Sequence, residues 1–400
     1  MGLAEIPLVL MLVGLAAYAV LGGADFGAGF WSLFAGRGDR GRRIREHAHL
    51  AMGPVWEANH VWLIFVLVVC WTAYPTAFAS IVSTLSIPLF VAAVGIILRG
   101  TAYALRSGTT APRELGMIDA VFGVSSILTP FMLGAAVGGI ASERVPVGNA
   151  AGDLVTSWLN PTSILIGTIA VATAAYLAAV FLAADAARLG RSELELAFRL
   201  RALGAGVAAG AIALAGLFVL RDDAERIWDG LTSGAGLAAV LVSAVAGVAT
   251  LALVWTRRYE PARYTAALAV AAVVAGWPLA QRPVFLPGLT IEEAAAGHST
   301  LVATLVVVAI GAVVLVPSLA LLFTLVLRGR FEVERPPAPT TARQGAAKHG
   351  PLLPVAGACL LTGTVFMVLF DSGWAHVIGV TALLGFVATG LVLVATPADE

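Results

Sequence analysis

The chain has 400 residues, of which 59% are hydrophobic and only 12% are charged. Soluble domains usually carry about 25% charged residues, so this composition excludes an ordinary soluble fold and indicates a membrane protein. Its 24 Lys and Arg balance 24 Asp and Glu without a basic run, which argues against nucleic acid as a partner. The two cysteines, Cys70 and Cys359, lie in apolar segments and belong to no cluster of metal-ligand type.

Apolar segments run along almost the whole chain. A bilayer core of about 30 Å requires about 20 apolar residues in helical form. By this measure the sequence predicts an all-α polytopic protein of about eleven spanning helices, with limits near 6–34, 51–74, 77–98, 116–141, 161–186, 200–220, 234–255, 262–280, 298–327, 353–371 and 374–395. A polar, Pro-rich stretch predicts three parts: a membrane domain (1–328), a cytoplasmic linker (329–352) and a C-terminal hairpin (353–400).

The arginines predict the orientation of these helices. Most of them lie in alternate loops, whereas the opposite loops hold only Arg144, Arg221, Arg226 and Arg282. Because Lys and Arg concentrate in cytoplasmic loops, the N-terminus is expected outside and the C-terminus in the cytoplasm.

The start of the second segment carries the richest polar constellation. Glu57 and His60 are three residues apart and share a helix face, and Trp56 and Asn59 share a neighbouring face. An ionisable group at the centre of a bilayer costs about 2.5–3.5 kcal/mol, so such a cluster indicates function. Alternatively, Glu57 lies near the membrane interface and compensates charge there, while Trp56 and Trp62 belong to an aromatic belt. Without metal-ligand or haem spacing, His60 is expected to be a hydrogen-bonded core residue.

The first segment contains a second buried acid. Asp25 stands among glycines at 22–29, at a depth similar to that of Glu57. Two acids at one depth on consecutive helices suggest a proton route, since burial and like charge favour groups that take up and release protons near neutrality. The alternative is a packing stripe, in which Gly27 and its neighbours admit a close helix while Asp25 bonds to it.

Three hydroxyls and one arginine receive structural interpretations. Ser125, Ser126 and Thr129 precede Pro130 and are expected to satisfy carbonyls freed by that proline. Arg99 ends the third segment and is expected to extend towards the membrane surface or bind a lipid headgroup.

These motifs resemble the second subunit of cytochrome bd-type quinol oxidases. The resemblance is carried by the glycine-flanked acid at 23–29, the Arg-rich loop after it, the block Gly53–Ile64, residues 71–75, Arg99, and Thr129-Pro130. It covers roughly residues 1–328 and is strongest in the first 140. It implies nine helices, arranged as two four-helix bundles and a peripheral helix, to which this chain adds a two-helix extension.

The resemblance also implies a function. It suggests a haem-free subunit in the bacterial cytoplasmic membrane, beside a haem-bearing subunit I that holds haems b and d and oxidises membrane quinol with oxygen. This chain then has no redox centre or metal of its own and conducts cytoplasmic protons to the oxygen-reducing site. The expected proton pathway is Asp25, Glu57, His60 and Asn59, supported by Trp56, Trp62, Gly27 and Arg99. A small accessory subunit and a structural quinone or lipid are further candidates for binding.

Three features depart from the family pattern. Gly22 stands where an additional acid is familiar, and Tyr103-Ala104 stands where another acid is expected. The hairpin at 353–395 exceeds the nine helices and either replaces an accessory subunit or thickens the interface. Two alternative functions remain, a proton-coupled membrane transporter and an inert membrane scaffold.

Overall fold

A computed structural model describes residues 2–52, 56–106, 112–327, 352–369 and 372–395. Its α-helices in chain order are α1 (Ile6–Ala17), α2 (Gly23–Leu33), α3 (Gly38–Met52), α4 (Trp56–Ala73), α5 (Pro75–Thr84), α6 (Ser86–Arg106), α7 (Pro112–Ala141), α8 (Pro161–Arg188), α9 (Ser192–Asp223), α10 (Glu225–Leu231), α11 (Gly234–Trp255), α12 (Tyr259–Gln281), α13 (Ile291–Ala294), α14 (His298–Leu327), α15 (Leu352–Leu369) and α16 (Gly373–Ala395). A 3-10 turn at Leu3–Glu5 precedes α1, and a π-helical turn at Tyr18–Gly22 joins α1 to α2. Two short antiparallel strands, β1 (Val284–Leu286) and β2 (Leu289–Thr290), form a hairpin.

The helices match the predicted class. Within the described residues, eight are long and apolar enough to cross a membrane: Leu3–Leu33, Ser86–Arg106, Glu114–Ala141, Pro161–Arg188, Ser192–Asp223, Gly234–Trp255, Tyr259–Gln281 and His298–Leu321. Shorter apolar helices occupy Asn59–Ala73, Pro354–Gly363 and Gly373–Phe386. These correspond to the predicted segments, and the all-α polytopic fold is confirmed.

Two expectations about element boundaries were wrong. The Arg-rich stretch after the first span is not a loop but the amphipathic helix α3. Its buried residues, which include Ile44 and His47, recur at helical spacing and pack against α2 and α8. The predicted third segment, 77–98, also begins too early, because Pro75 opens the separate helix α5 and Pro88 lies in the first turn of α6.

The first 328 residues form one compact unit. In it α1–α2, α4, α6 and α7 make a first bundle, and α8, α9, α11 and α12 make a second. Helices α2 and α7 both pack against α8 and so join the bundles, while α14 touches α4 and is otherwise largely exposed. We call the end of this unit that carries α3 and residues 189–191 and 256–258 the basic end.

The remaining residues, Gly329–Glu400, form a second unit in which α15 and α16 pack together. Gly363 on α15 faces Leu383 on α16, so the absence of a side chain at 363 brings the two helices close. Residues 329–351 of the predicted linker lie outside the described residues.

Candidate functional site

A buried ion pair crosses the first bundle. Asp25 on α2 and Arg99 on α6 are each 2% exposed. Arg99 Nη2 donates to Asp25 Oδ1 at 2.7 Å and to the Asp25 carbonyl oxygen at 2.9 Å, while Nη1 donates to Oδ2. Asp25 lies eight residues before the end of α2, so the pair is about 12 Å from the basic end. It therefore places one positive and one negative charge well inside an apolar bundle.

Groups from α2 and α7 hold the guanidinium of Arg99 in place. Its Nε donates to Ser126 Oγ at 2.9 Å, and its central carbon lies 4.9 Å from the Phe26 ring centroid and 4.7 Å from that of Phe122. Ser126 Oγ in turn donates to the Phe122 carbonyl at 2.6 Å. Because aromatic ring faces attract a desolvated cation, these rings stabilise the charge while excluding water. Arg99 does not extend to the membrane surface or a lipid headgroup, so that expectation was wrong.

Gly27 allows the close approach of α2 to α8 that the packing interpretation predicts. A Cβ at this position would lie 1.9 Å from the Ala174 carbonyl oxygen and 2.6 Å from Ala178 Cβ. Only glycine fits there without moving a helix. Gly27 thus lets α2 pack closely against α8, and Asp25 on the same helix bonds to Arg99 of α6.

Three further predicted residues lie near the ion pair. Asn59 on α4 is 3% exposed, and its Nδ2 donates to the Leu21 carbonyl at 3.2 Å. The His60 ring lies 6.2 Å from the Tyr18 ring and 6.4 Å from that of Phe26. Trp62 packs against the cluster of buried side chains that contains Tyr18 and Phe26. The side chains of Trp56 and Glu57 lie outside the described residues, so a Glu57–Asp25 grouping stays a prediction.

The hydroxyls before Pro130 act differently from the expectation. Pro130 frees the carbonyl of Ser126, four residues earlier. The hydroxyls of Ser125 and Ser126 instead both donate to the Phe122 carbonyl, and Ser126 also accepts from Arg99. The Thr129 hydroxyl is fully buried, and no described group is its hydrogen-bond partner. None of these hydroxyls donates to the carbonyl freed by the proline, and Ser126 belongs to the ion-pair site.

The π-helical turn is a part of the site that the sequence did not reveal. Insertions of this kind inside α-helices are often found at functional sites. Here the turn carries Tyr18, whose ring packs over Gly22, and the Leu21 carbonyl that binds Asn59. Its only sequence signal is Gly22, one of several glycines in this segment.

A second charged cluster at the basic end was largely missed. Asp185 on α8 pairs with Arg188 at 3.4 Å and more tightly with Arg263 of α12. His47 of α3 is 1% exposed, and its Nε2 lies 3.0 Å from the Leu182 carbonyl oxygen. Burial lowers the pKa of His47 below its ordinary value, and the neutral ring therefore donates from Nε2 to that carbonyl. These contacts fasten α3 and α12 to α8.

A cleft of about 370 Å³ opens at the opposite end, between residues 141–143 and 223–229. Two of its acids are engaged in ion pairs: Asp223 binds Arg144 at 2.6 Å, and Glu143 binds Arg226. Within the described part of the chain, no three His, Cys, Asp or Glu side chains converge as a metal site would require. The two ion pairs beside the cleft connect the segment after α7 to α9 and α10.

The fold and the ion pair together define a multi-pass α-helical membrane protein with a buried carboxylate–guanidinium site between its first helices. Residues 3–326 match the model of the family described as cytochrome bd terminal oxidase subunit II, and the chain belongs to this family. A chain of the bd oxidase from Geobacillus thermodenitrificans shares the fold, with a TM-score of 0.65 and 24% identity, over 82% of this chain and 99% of that one.

Sequence relatives agree over shorter stretches. The cytochrome bd ubiquinol oxidase subunit 2 of Bacillus subtilis is 29% identical over 32% of this chain and 36% of its own length. The cytochrome bd-I ubiquinol oxidase subunit 2 of Escherichia coli K12 is 28% identical over 40% of this chain and 44% of its own. A putative cytochrome bd menaquinol oxidase subunit II of Bacillus subtilis is 23% identical over 58% and 67%. The chain thus matches less than half the length of the first two relatives.

Proposed function

We propose that this chain is the haem-free second subunit of a quinol oxidase, bound beside a subunit I that carries haems b and d. Family membership supports this assignment, and relatives named for ubiquinol and for menaquinol leave the quinone type open. Two of the described histidines have contacts that support a haem-free role: His47 Nε2 is engaged with the Leu182 carbonyl, and His60 packs against aromatic rings. The basic end then faces the cytoplasm, and the N-terminus faces outside.

The second part of the proposal is that the subunit conducts protons to the oxygen-reducing site. The single observation that carries it is the Asp25–Arg99 pair, which is enclosed by apolar helices yet lies only about 12 Å from the basic end. Reduction of one O₂ by two quinols forms two waters and consumes four protons at the reaction site. Hydrocarbon does not pass protons, so the route needs buried polar groups.

We propose separate roles for the two members of the pair. Arg99 stays protonated and supplies a fixed positive charge. Each carboxylate oxygen of Asp25 uses one lone pair to accept from Arg99. The remaining lone pairs stay available, since a carboxylate accepts at about four positions. A proton that binds Asp25 neutralises its carboxylate, while the carboxyl oxygens can still accept from Arg99. The ion pair is restored when the proton leaves. Glu57 is the proposed group between Asp25 and the basic end. Asn59 and His60 are the proposed groups on the other side of Asp25, beside Leu21 and Tyr18.

The test uses the purified whole oxidase in liposomes. Asp25→Asn keeps an oxygen that accepts from Arg99 but cannot bind the transferred proton, and oxygen consumption is expected to fall by about 10–100-fold with unchanged haem spectra. Glu57→Gln should give the same pattern. Asp222→Asn, which removes an exposed acid at the far end of α9, is the matched control and should leave turnover unchanged.

The two alternatives give different results. An inert scaffold predicts that Asp25→Asn turns over at the rate of the Asp222→Asn control. A proton-coupled transporter predicts substrate counterflow by this chain alone in liposomes, and its acids should lie at the middle of the span beside broken helices. Asp25 lies instead towards one end, and the π-helical turn at Tyr18–Gly22 leaves the helix continuous.

A further inference from the structure

Three buried polar atoms close to the ion pair lack hydrogen-bond partners among the residues that the structure describes. They are Tyr18 Oη, Asn59 Oδ1 and Thr129 Oγ1. Their residues are 6%, 3% and 0% exposed, so neither lipid nor bulk water satisfies them. Buried polar groups in folded proteins are almost always bonded to protein or to ordered water. Three such atoms in one region therefore indicate a ligand that completes them.

The three atoms lie on the side of the ion pair towards the middle of the span. Tyr18 precedes Asp25 by seven residues, or about 10 Å of helix, and the charges of both Asp25 and Arg99 act on it. Thr129 follows Ser126, which binds Arg99, by one turn of α7. Asn59 is bonded through its amide nitrogen to Leu21, inside the same π-helical turn as Tyr18. Three separate chain segments thus place polar atoms without bonds on the same side of the ion pair.

The Thr129 hydroxyl lies close to the backbone of α6 at Gly95. Gly95 on α6 lies one turn from Arg99, and a Cβ there would be 2.3 Å from Thr129 Oγ1. A side chain at position 95 would overlap the Thr129 hydroxyl, so glycine lets this hydroxyl stay between α6 and α7. Among the residues that the structure describes, those around the Thr129 hydroxyl offer donors and acceptors but no unpaired charge, which suits water rather than an ion.

We infer that Tyr18, Asn59 and Thr129 bind internal water molecules, and that the Tyr18 hydroxyl carries protons onward from Asp25. The second clause rests on the proposed function. In the transfer step, a water that has received a proton from Asp25 donates one to Tyr18 Oη. The phenol releases its own proton to the next water, so its oxygen remains neutral before and after, and no oxidant or reductant is needed. Rotation of the hydroxyl then resets the site.

The decisive comparison is between two tyrosines in the whole oxidase in liposomes. Tyr18→Phe removes one buried hydroxyl and should lower oxygen consumption by about tenfold, with a steeper loss between about pH 6 and pH 8. Tyr176→Phe is the matched control, because Tyr176 is similarly buried in the second bundle, with its hydroxyl against Thr250 and out of hydrogen-bonding geometry. It should keep the wild-type rate and pH profile. Haem spectra and thermal midpoints identify any variant that misassembles.

The outcomes separate this inference from the proposed function. If Asp25→Asn is slow while Tyr18→Phe equals Tyr176→Phe, the proton route stands and the role of Tyr18 is overturned. If Asp25→Asn is also normal, both fail. A density map of the oxidase that resolves internal waters tests the first clause by itself: water within about 3 Å of Tyr18 Oη supports it, and an empty or apolar-filled region there overturns it.

Discussion

Removing the two members of the buried ion pair singly and then together separates its structural contribution from its contribution to proton transfer. The single variants are Asp25→Leu and Arg99→Met, and the third combines them. Each single change leaves one charge about 12 Å inside the bundle without its partner. The double change leaves none, and apolar side chains of similar size fill the place of the pair.

The magnitude follows from the bonds in the site. Arg99 makes two side-chain bonds to the Asp25 carboxylate, and hydrogen bonds to charged groups contribute about 1.5–3 kcal/mol each. Breaking a buried pair by removing one partner costs about 3–5 kcal/mol, whereas apolar replacement of both is close to neutral. We therefore expect both single variants to lose about 3–5 kcal/mol and the double variant to recover most of it.

Stability is measured by thermal and denaturant unfolding of the oxidase in detergent, followed by the haem absorbance, and activity by oxygen consumption. The expected result is a double variant with near-wild-type unfolding but slow turnover. A double variant that recovers both stability and turnover would show that the pair only joins α2 to α6. Additive losses, with no recovery of stability, would refute the reasoning about the unpaired charge.

Two other predictions concern packing and pH. Gly27→Ala should destabilise the fold by about 1–3 kcal/mol, because its Cβ overlaps the Ala174 carbonyl, whereas Gly210→Ala, in open space on α9, should change unfolding by less than about 1 kcal/mol. Burial lowers the pKa of His47, so its contribution to stability is present above its unfolded value of about 6.5 and is lost as pH falls through the folded-state pKa. Thermal midpoints between about pH 7 and pH 5 should therefore drop less in His47→Asn than in wild type. The exposed-site variant His298→Asn should follow wild type, and equal slopes for all three proteins would contradict the assignment.

The amino-acid pattern predicted most of what depends on burial against lipid. Long apolar stretches, interrupted at loops by arginine, are sufficient to predict the spans, because backbone groups in hydrocarbon must be satisfied within a helix. Asp25 was identifiable for the same reason, as an ionisable residue in an otherwise apolar span. The prediction was wrong where charge density is high, since α3 was predicted as a loop. The spacing of Ile44 and His47 is helical, but the Arg-rich composition outweighed this periodicity in the prediction.

The partners of the polar residues depended on tertiary structure. That Arg99 binds Asp25 across 74 positions follows from the packing of both α2 and α6 against α7, and no local signal encodes it. The bond from Asn59 to the Leu21 carbonyl in the π-helical turn at Tyr18–Gly22 likewise joins residues 38 positions apart. The sequence by itself determined the membrane class, the spans and the buried acid, because these depend on the free energy of transfer into lipid. Only the folded chain decided which groups pair within it, because hydrogen bonds and ion pairs depend on distances between helices far apart in sequence.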